Sequence, residues 1–142
     1  MQFHGGVYRS DDAGASWNAI AEGLPSDFGF PLAIDPADPD SAYLIPLTAD
    51  TDRVTPEGRV GVYETRDAGA SWAARGDGLP QQEAYLTILR EAFTWAGEGD
   101  ALELYFGATS GEVFGSRDAG ASWATVAPRL PPVLSVTALT GR

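Results

Sequence analysis

The chain has 142 residues, 44% of them hydrophobic and 11% aromatic, which is enough apolar material for a packed core and too much for a disordered polypeptide. Nine basic against 20 acidic residues leave a formal net charge of −11, which repels nucleic-acid phosphates and anionic lipid headgroups, so neither nucleic acid nor membrane is an expected partner. With no cysteine and a single histidine, His4, the sequence excludes a disulfide framework and a thiolate or histidine-rich metal centre, and no metal or cofactor is expected.

In chain order, the start carries neither a basic segment nor an apolar run of signal-peptide type, and no apolar stretch reaches the ~18 residues of a membrane span. The chain therefore reads as soluble, cytoplasmic by default. The first predicted strand covers residues 6–10 and leads into Ser10-Asp-Asp12-Ala-Gly14-Ala-Ser-Trp17, after which a second strand begins. Residues 30–34 and 42–47 are the next two strands, rich in β-branched and aromatic types and bounded by Pro and Asp. Between them, Asp35-Pro-Ala-Asp-Pro-Asp-Ser41 has the acids of a metal loop but reads better as Asp-Pro turn chemistry. A long loop over residues 48–59 precedes a strand at 60–65, then Thr65-Arg-Asp67-Ala-Gly69-Ala-Ser-Trp72 and a strand at 71–75. The last group comprises strands at 85–89, 102–106 and 112–116, the corner Ser116-Arg-Asp118-Ala-Gly120-Ala-Ser-Trp123, a strand at 122–127, and a lone strand at 133–139.

The three corners make this a repeat array. Their aspartates are 55 and 51 residues apart, an aromatic stands four residues before each one (Tyr8, Tyr63, Phe114), and a Pro stands eight residues after each Trp (Pro25, Pro80, Pro131). Four antiparallel strands, A to D, in a period of about fifty residues describe a propeller blade, with the corner as the C–D turn. The fold class expected is all-β: a β-propeller segment of about two and a half four-stranded antiparallel blades plus one orphan C-terminal strand. Residues 1–25 would be a half blade that begins directly at strand C, 26–80 the second blade, 81–131 the third, and 132–142 a closing strand. Such a segment cannot close a ring of four to eight blades alone. Two partners answer the need: the remaining blades of a longer propeller, whose first blade would take residues 133–139 as its strand A, or a self-associating copy of the chain.

All three corners fit Ser/Thr-x-Asp-x-Gly-x-x-Trp, through Ser10, Asp12, Gly14 and Trp17, through Thr65, Asp67, Gly69 and Trp72, and through Ser116, Asp118, Gly120 and Trp123. The pattern resembles the Asp-box, or bacterial neuraminidase repeat, of sialidases, xyloglucan-active glycosidases, sortilin-type receptors and photosystem assembly factors. The resemblance covers essentially the whole chain and implies a propeller with ligands bound near the axis, on the face away from the boxes. Residue chemistry independently favours a folding role for the box: a short carboxylate accepts backbone N–H bonds in a tight turn, Gly takes positive φ, and the Trp enters strand D facing the neighbouring blade. A catalytic role for Asp12, Asp67 and Asp118 is the alternative, but equivalent residues of successive blades lie farther apart than the roughly 5–10 Å between paired glycosidase carboxylates.

Loops of unequal length in equivalent positions are where repeats acquire function. The B–C connection of blade two, residues 48–59, offers Asp50, Asp52, Arg53 and Arg59, whereas its counterpart in blade three is only Ala108-Thr-Ser-Gly111. Gln81 and Glu83, with Gln82, come from the adjacent D–A loop, and Arg90 would end strand A of blade three and offer an anionic ligand its planar fork. Trp95 would cap a blade edge in the A–B connection. Resemblance to sialidases would require a Phe/Tyr-Arg-Ile-Pro motif, and the nearest run, Phe28-Gly-Phe-Pro31, lacks the Arg. The sequence therefore favours a non-catalytic scaffold that binds a carbohydrate or protein ligand, with part of a sialidase-type hydrolase, catalytic residues elsewhere, as the alternative.

Overall fold

A computed structural model describes residues 1–139 and is all-β, with three antiparallel sheets and no α-helix among the described residues. Sheet 1 contains β1 (Gln2–Phe3), β2 (Gly6–Arg9) and β3 (Asn18–Ala19), in that order. Sheet 2 is ordered β4 (Gly29–Asp35), β5 (Asp38–Pro46), β6 (Val62–Thr65), β7 (Ala73–Arg75). Sheet 3 is ordered β8 (Phe93–Ala96), β9 (Glu103–Gly107), β10 (Val113–Ser116), β11 (Ala124–Ala127). Within each sheet every strand pairs with its neighbour in sequence, so no crossover is needed. Among the described residues no helix is long and apolar enough to cross a membrane.

The middle sheet has cover on both faces, and its strands record it. Along β5, Tyr43 and Ile45 point into a core shared with sheet 3, while Leu44 is buried on the other side, which leaves an almost unbroken apolar run instead of an alternation. Sheet 3 presents Phe93, Leu104, Phe106, Phe114 and Trp123 to that core. Phe106 is its hub, with ring centroids 5.1 Å from Phe114, 5.2 Å from Trp123 and 6.2 Å from Phe93. Strand β4 lies against β8 on one side and β1 on the other, so the first strands of the sheets stand side by side.

The box tryptophans join sheet to sheet. Trp72 Nε1 donates to the Ile20 carbonyl at 2.7 Å, and Trp123 Nε1 donates to the Arg75 carbonyl at 2.9 Å, each reaching back to the end of the preceding sheet. The Trp123 N–H also donates to the Asp77 carbonyl at 2.9 Å. Trp17, expected to pack like the other two, is instead 47% exposed, with no sheet among the described residues on the side that its indole would face. Each strand after a box begins one residue beyond the Trp, so the indole sits at the corner itself.

Five expectations about the elements need correction. Residues 85–89 form no strand: Thr55 and Leu86 exchange bonds, Ala84 N–H donates to Gly58 and Val60 N–H to Pro80, so this segment is tied to the β5–β6 loop. The first strand of sheet 3 is β8 instead, opposite β9, which moves Trp95 from a connection into a ladder facing Leu104. Arg90 therefore ends no strand; it opens a 3₁₀ turn, Arg90–Ala92. At the N-terminus the chain does not begin at its C strand, since β1 precedes β2 and pairs with it through Gln2 opposite Val7. Finally, residues 133–139 join no ladder; Val133 and Val136 donate to the carbonyls of Ala108 and Glu91, and residues 140–142 of the expected closing strand lie outside the described residues.

Candidate functional site

The antiparallel order places the three boxes and the β4–β5 turn at one end of the sheets. In each box the same bonds recur. The Ser10 hydroxyl accepts from the Gly14 N–H at 2.7 Å and donates to Asp12 Oδ1, which also accepts from the Ser16 N–H at 2.8 Å, while Oδ2 takes the Ser16 hydroxyl at 2.6 Å. Thr65, Asp67, Gly69 and Ser71 repeat this set, as do Ser116, Asp118, Gly120 and Ser122. Bonds from the Ser16 hydroxyl, the Ser16 N–H and Ser10 pull the Asp12 carboxyl down to about 2, and the equivalent bonds lower Asp67 and Asp118. Both oxygens are thus committed to the turn and a proton is disfavoured, the opposite of what a general acid needs. In the β4–β5 turn the acids are likewise engaged: Asp35 accepts from the Ala37 N–H and, from the β8–β9 connection of sheet 3, the Gly99 N–H, and Asp38 from the Asp40 N–H and the Ser41 hydroxyl.

One feature of the box is invisible in its motif. The alanine before each glycine, Ala13, Ala68 and Ala119, sits at φ of 58°, 63° and 52°. A left-handed L-residue costs roughly 1–2 kcal/mol, part of which Gly would return in unfolded-chain entropy. Ala13→Gly, at an exposed position, is therefore expected to raise stability by about 0.5–1 kcal/mol in chemical denaturation.

At the opposite end the candidate residues divide into two places. The first gathers Arg53 and Arg90 over one ring: their guanidinium carbons stand 5.4 Å and 5.9 Å from the Phe30 centroid. Phe28 packs edge-on to Phe30 at 5.2 Å, and His4, from the β1–β2 turn, stacks on Phe28 at 5.6 Å and meets the edge of Phe30 at 5.2 Å. Asp50 binds Arg53 through its carboxylate and its carbonyl, and lies 3.7 Å from His4 Nε2. Arg90 is exposed and pairs with no carboxylate among the described residues. The loop that carries Arg53 is ordered: Ala49 and Asp52 close a tight bridge, Thr48 bonds Val54 twice, and the Thr87 hydroxyl donates to the Arg53 carbonyl at 2.7 Å.

The second place is a groove of about 500 Å³ lined by Arg59, Gln81, Glu57, Tyr63, Pro25 and Pro56 among others. Here Gln81 works as a clamp, its amide donating to the carbonyls of Val60, Leu79 and Pro80. Asp52 is exposed within its bridge, and Glu83 is exposed at φ 51°. Of the residues singled out in the sequence, Asp50, Arg53 and Arg90 thus lie at the first place, and Arg59 and Gln81 at the second. Phe30 and His4, beside them at the first place, were not singled out, although two aromatics at i and i+2 beside a proline were a visible signal.

A buried charged cluster was missed entirely. Glu64, whose side chain is 2% exposed, accepts from Tyr43 Oη at 2.9 Å and Arg66 Nε at 2.7 Å on one oxygen, and from Arg75 Nε at 2.7 Å on the other. Burial pushes its pKa up, and the bonds from Arg66, Arg75 and Tyr43 outweigh that and hold it below the ordinary value. Tyr43 moves the other way, raised by burial and by its bond to Glu64. The third box seals the cluster, since Gly120 lies where a Cβ would be 3.5 Å from the Tyr43 ring. Comparison of the chain with protein-family models gives no match, and comparison with curated proteins gives none either.

Proposed function

We propose that this chain is a segment of an Asp-box repeat β-propeller that acts as a non-catalytic scaffold, binding an anionic ligand at the end of the sheets away from the boxes. What supports the propeller is the recurrence of one joint between consecutive sheets and the side-by-side first strands β1, β4 and β8. What carries the ligand reading is the pair of arginines over Phe30. Arg90 pairs with no carboxylate among the described residues, Arg53 is held by Asp50, and two cations over one aromatic ring suit a carboxylate attached to a ring or an apolar stem. The carbohydrate and protein-side-chain versions of such a ligand share this chemistry.

Titration with glucuronate against neutral glucose tests it. The acid is expected to bind and the neutral sugar not, and Arg53→Ala/Arg90→Ala is expected to weaken binding at least about tenfold, since a hydrogen bond to a charged group contributes roughly 1.5–3 kcal/mol. Thermal unfolding should stay unchanged because both side chains are exposed. Equal binding of both sugars, or none, would remove the proposal. The hydrolase alternative gains nothing from the Tyr43–Glu64 pair, which has suitable residue types: Tyr43 is buried under the third box, and its raised pKa opposes a nucleophilic phenolate.

A further inference from the structure

The indole joints follow a count that the chain leaves one step short at each end. Ile20 and Arg75, the carbonyls that receive Trp72 and Trp123, each lie three residues after the Trp of the preceding box. The same count from Trp123 lands on Val126 in β11, which is 60% exposed and receives no indole among the described residues. At the other end of the array, Trp17 donates to no carbonyl among the described residues. A donor without an acceptor thus stands on sheet 1, and an acceptor without a donor on sheet 3.

The surface around Val126 repeats in part the one that the third box covers, although β11 bulges there, so that Ala127 stands opposite Val113 where Arg75 stands opposite Val62, and residues 136–139 lie along one side of it. Tyr105 stands opposite Gly115 in β10 as Tyr43 stands opposite Glu64 in β6. Tyr105 donates to Glu103 at 2.6 Å, and Arg117, the second residue of its corner like Arg66, lies 4.0 Å from the same carboxylate. On sheet 2 this Tyr-Glu-Arg group is sealed; on sheet 3 the Glu103 side chain remains 38% exposed beside an open groove of about 610 Å³ that includes Tyr105, Arg117 and Val126. Sheet 1 is incomplete in a second respect. It has three strands where the others have four, and Gln2 in its edge strand has both amide atoms buried without a partner, a state folded chains generally avoid.

We propose that the first box of a second copy of this chain docks on the outer face of sheet 3, with Trp17 Nε1 donating to the Val126 carbonyl and Gly14 covering Tyr105. The contact continues the joint already made twice within the chain. It is head-to-tail, so it either closes or propagates, and two copies bring six sheets, inside the four to eight of closed propellers. The inference rests on the radial stacking proposed above but not on the ligand seat, whose arginines take no part.

Sedimentation velocity of the full chain at up to about 100 μM, where interfaces of ordinary quality are occupied, tests the inference. The wild type is expected to form a discrete two-copy species. Trp17→Ala and Val126→Asp, both at exposed positions, should each be monomeric with unchanged circular dichroism. An equimolar mixture of the two variants should partly recover association, because one intact joint can form between a copy that keeps Trp17 and a copy that keeps Val126. A face-to-face contact would not show that recovery. A monomeric wild type, either variant associating like the wild type, or a mixture without recovery would overturn the proposal. Loss of glucuronate binding with association intact would strike only the ligand seat.

Discussion

Trp123→Ala is expected to lower stability by about 3–5 kcal/mol, the range for removing a large aromatic from a packed site. Trp123 is 6% exposed, its ring meets Phe106, and its N–H reaches the Arg75 carbonyl, so the substitution opens a cavity and strands an acceptor at the joint between sheets 2 and 3. Burying an indole removes roughly 150–250 Å² from water, a gross gain of about 4–6 kcal/mol, which exceeds the ~1 kcal/mol of its hydrogen bond. Packing therefore dominates. The three tryptophans should grade accordingly: the half-buried Trp72 should cost less than Trp123, and Trp17→Ala should stay within about 0.5 kcal/mol in dilute solution. Chemical denaturation of the three variants measures the series, and equal costs would mean that the indoles do not act through the sheet joints.

Glu64→Ala is expected to cost about 2–3 kcal/mol, because it leaves the Tyr43 hydroxyl buried without an acceptor and removes the shared partner of Arg66 and Arg75. The cost falls at the low end for a buried charge because Arg75 and Arg66 are 35% and 65% exposed and can turn to water. Glu64→Gln isolates the pH dependence. A carboxylate with a folded pKa below its unfolded value of 4.5 contributes fully above that pH, and the contribution disappears as pH falls through the depressed folded value. Midpoints of thermal unfolding should therefore fall more steeply below about pH 4.5 for the wild type than for the Gln variant, with the box aspartates supplying the remaining acid slope in both. Identical slopes would mean that Glu64 titrates alike in the folded and unfolded chains.

How far the sequence could be read depended on the range of the interactions involved. The role of the boxes as hydrogen-bonded turns was legible, since Thr65, Asp67, Gly69 and Ser71 satisfy one another within seven residues of chain. The strands of sheet 2 were legible because their residue types and their turns agree. The first strand of sheet 3 was misplaced because residues 85–89 and β8 are both short, apolar and aromatic, and only the competition between ladders separates them: the former finds Thr55 and Gly58, the latter finds β9. Glu64 escaped notice because a glutamate in a strand ordinarily faces water, and its buried setting depends on a tyrosine of β5 and an arginine of β7.

The sequence alone determined that this is a β-rich repeat, where its three corners lie and why each is built from Ser or Thr, Asp, Gly and Trp, because those bonds close locally whatever surrounds them. Tertiary structure alone decided that Arg53 and Arg90 flank Phe30, that Trp123 is buried while Trp17 is not, and that Glu64 is sealed between two sheets. Those outcomes depend on which sheet stands beside which, and identical hexapeptides cannot encode different neighbours.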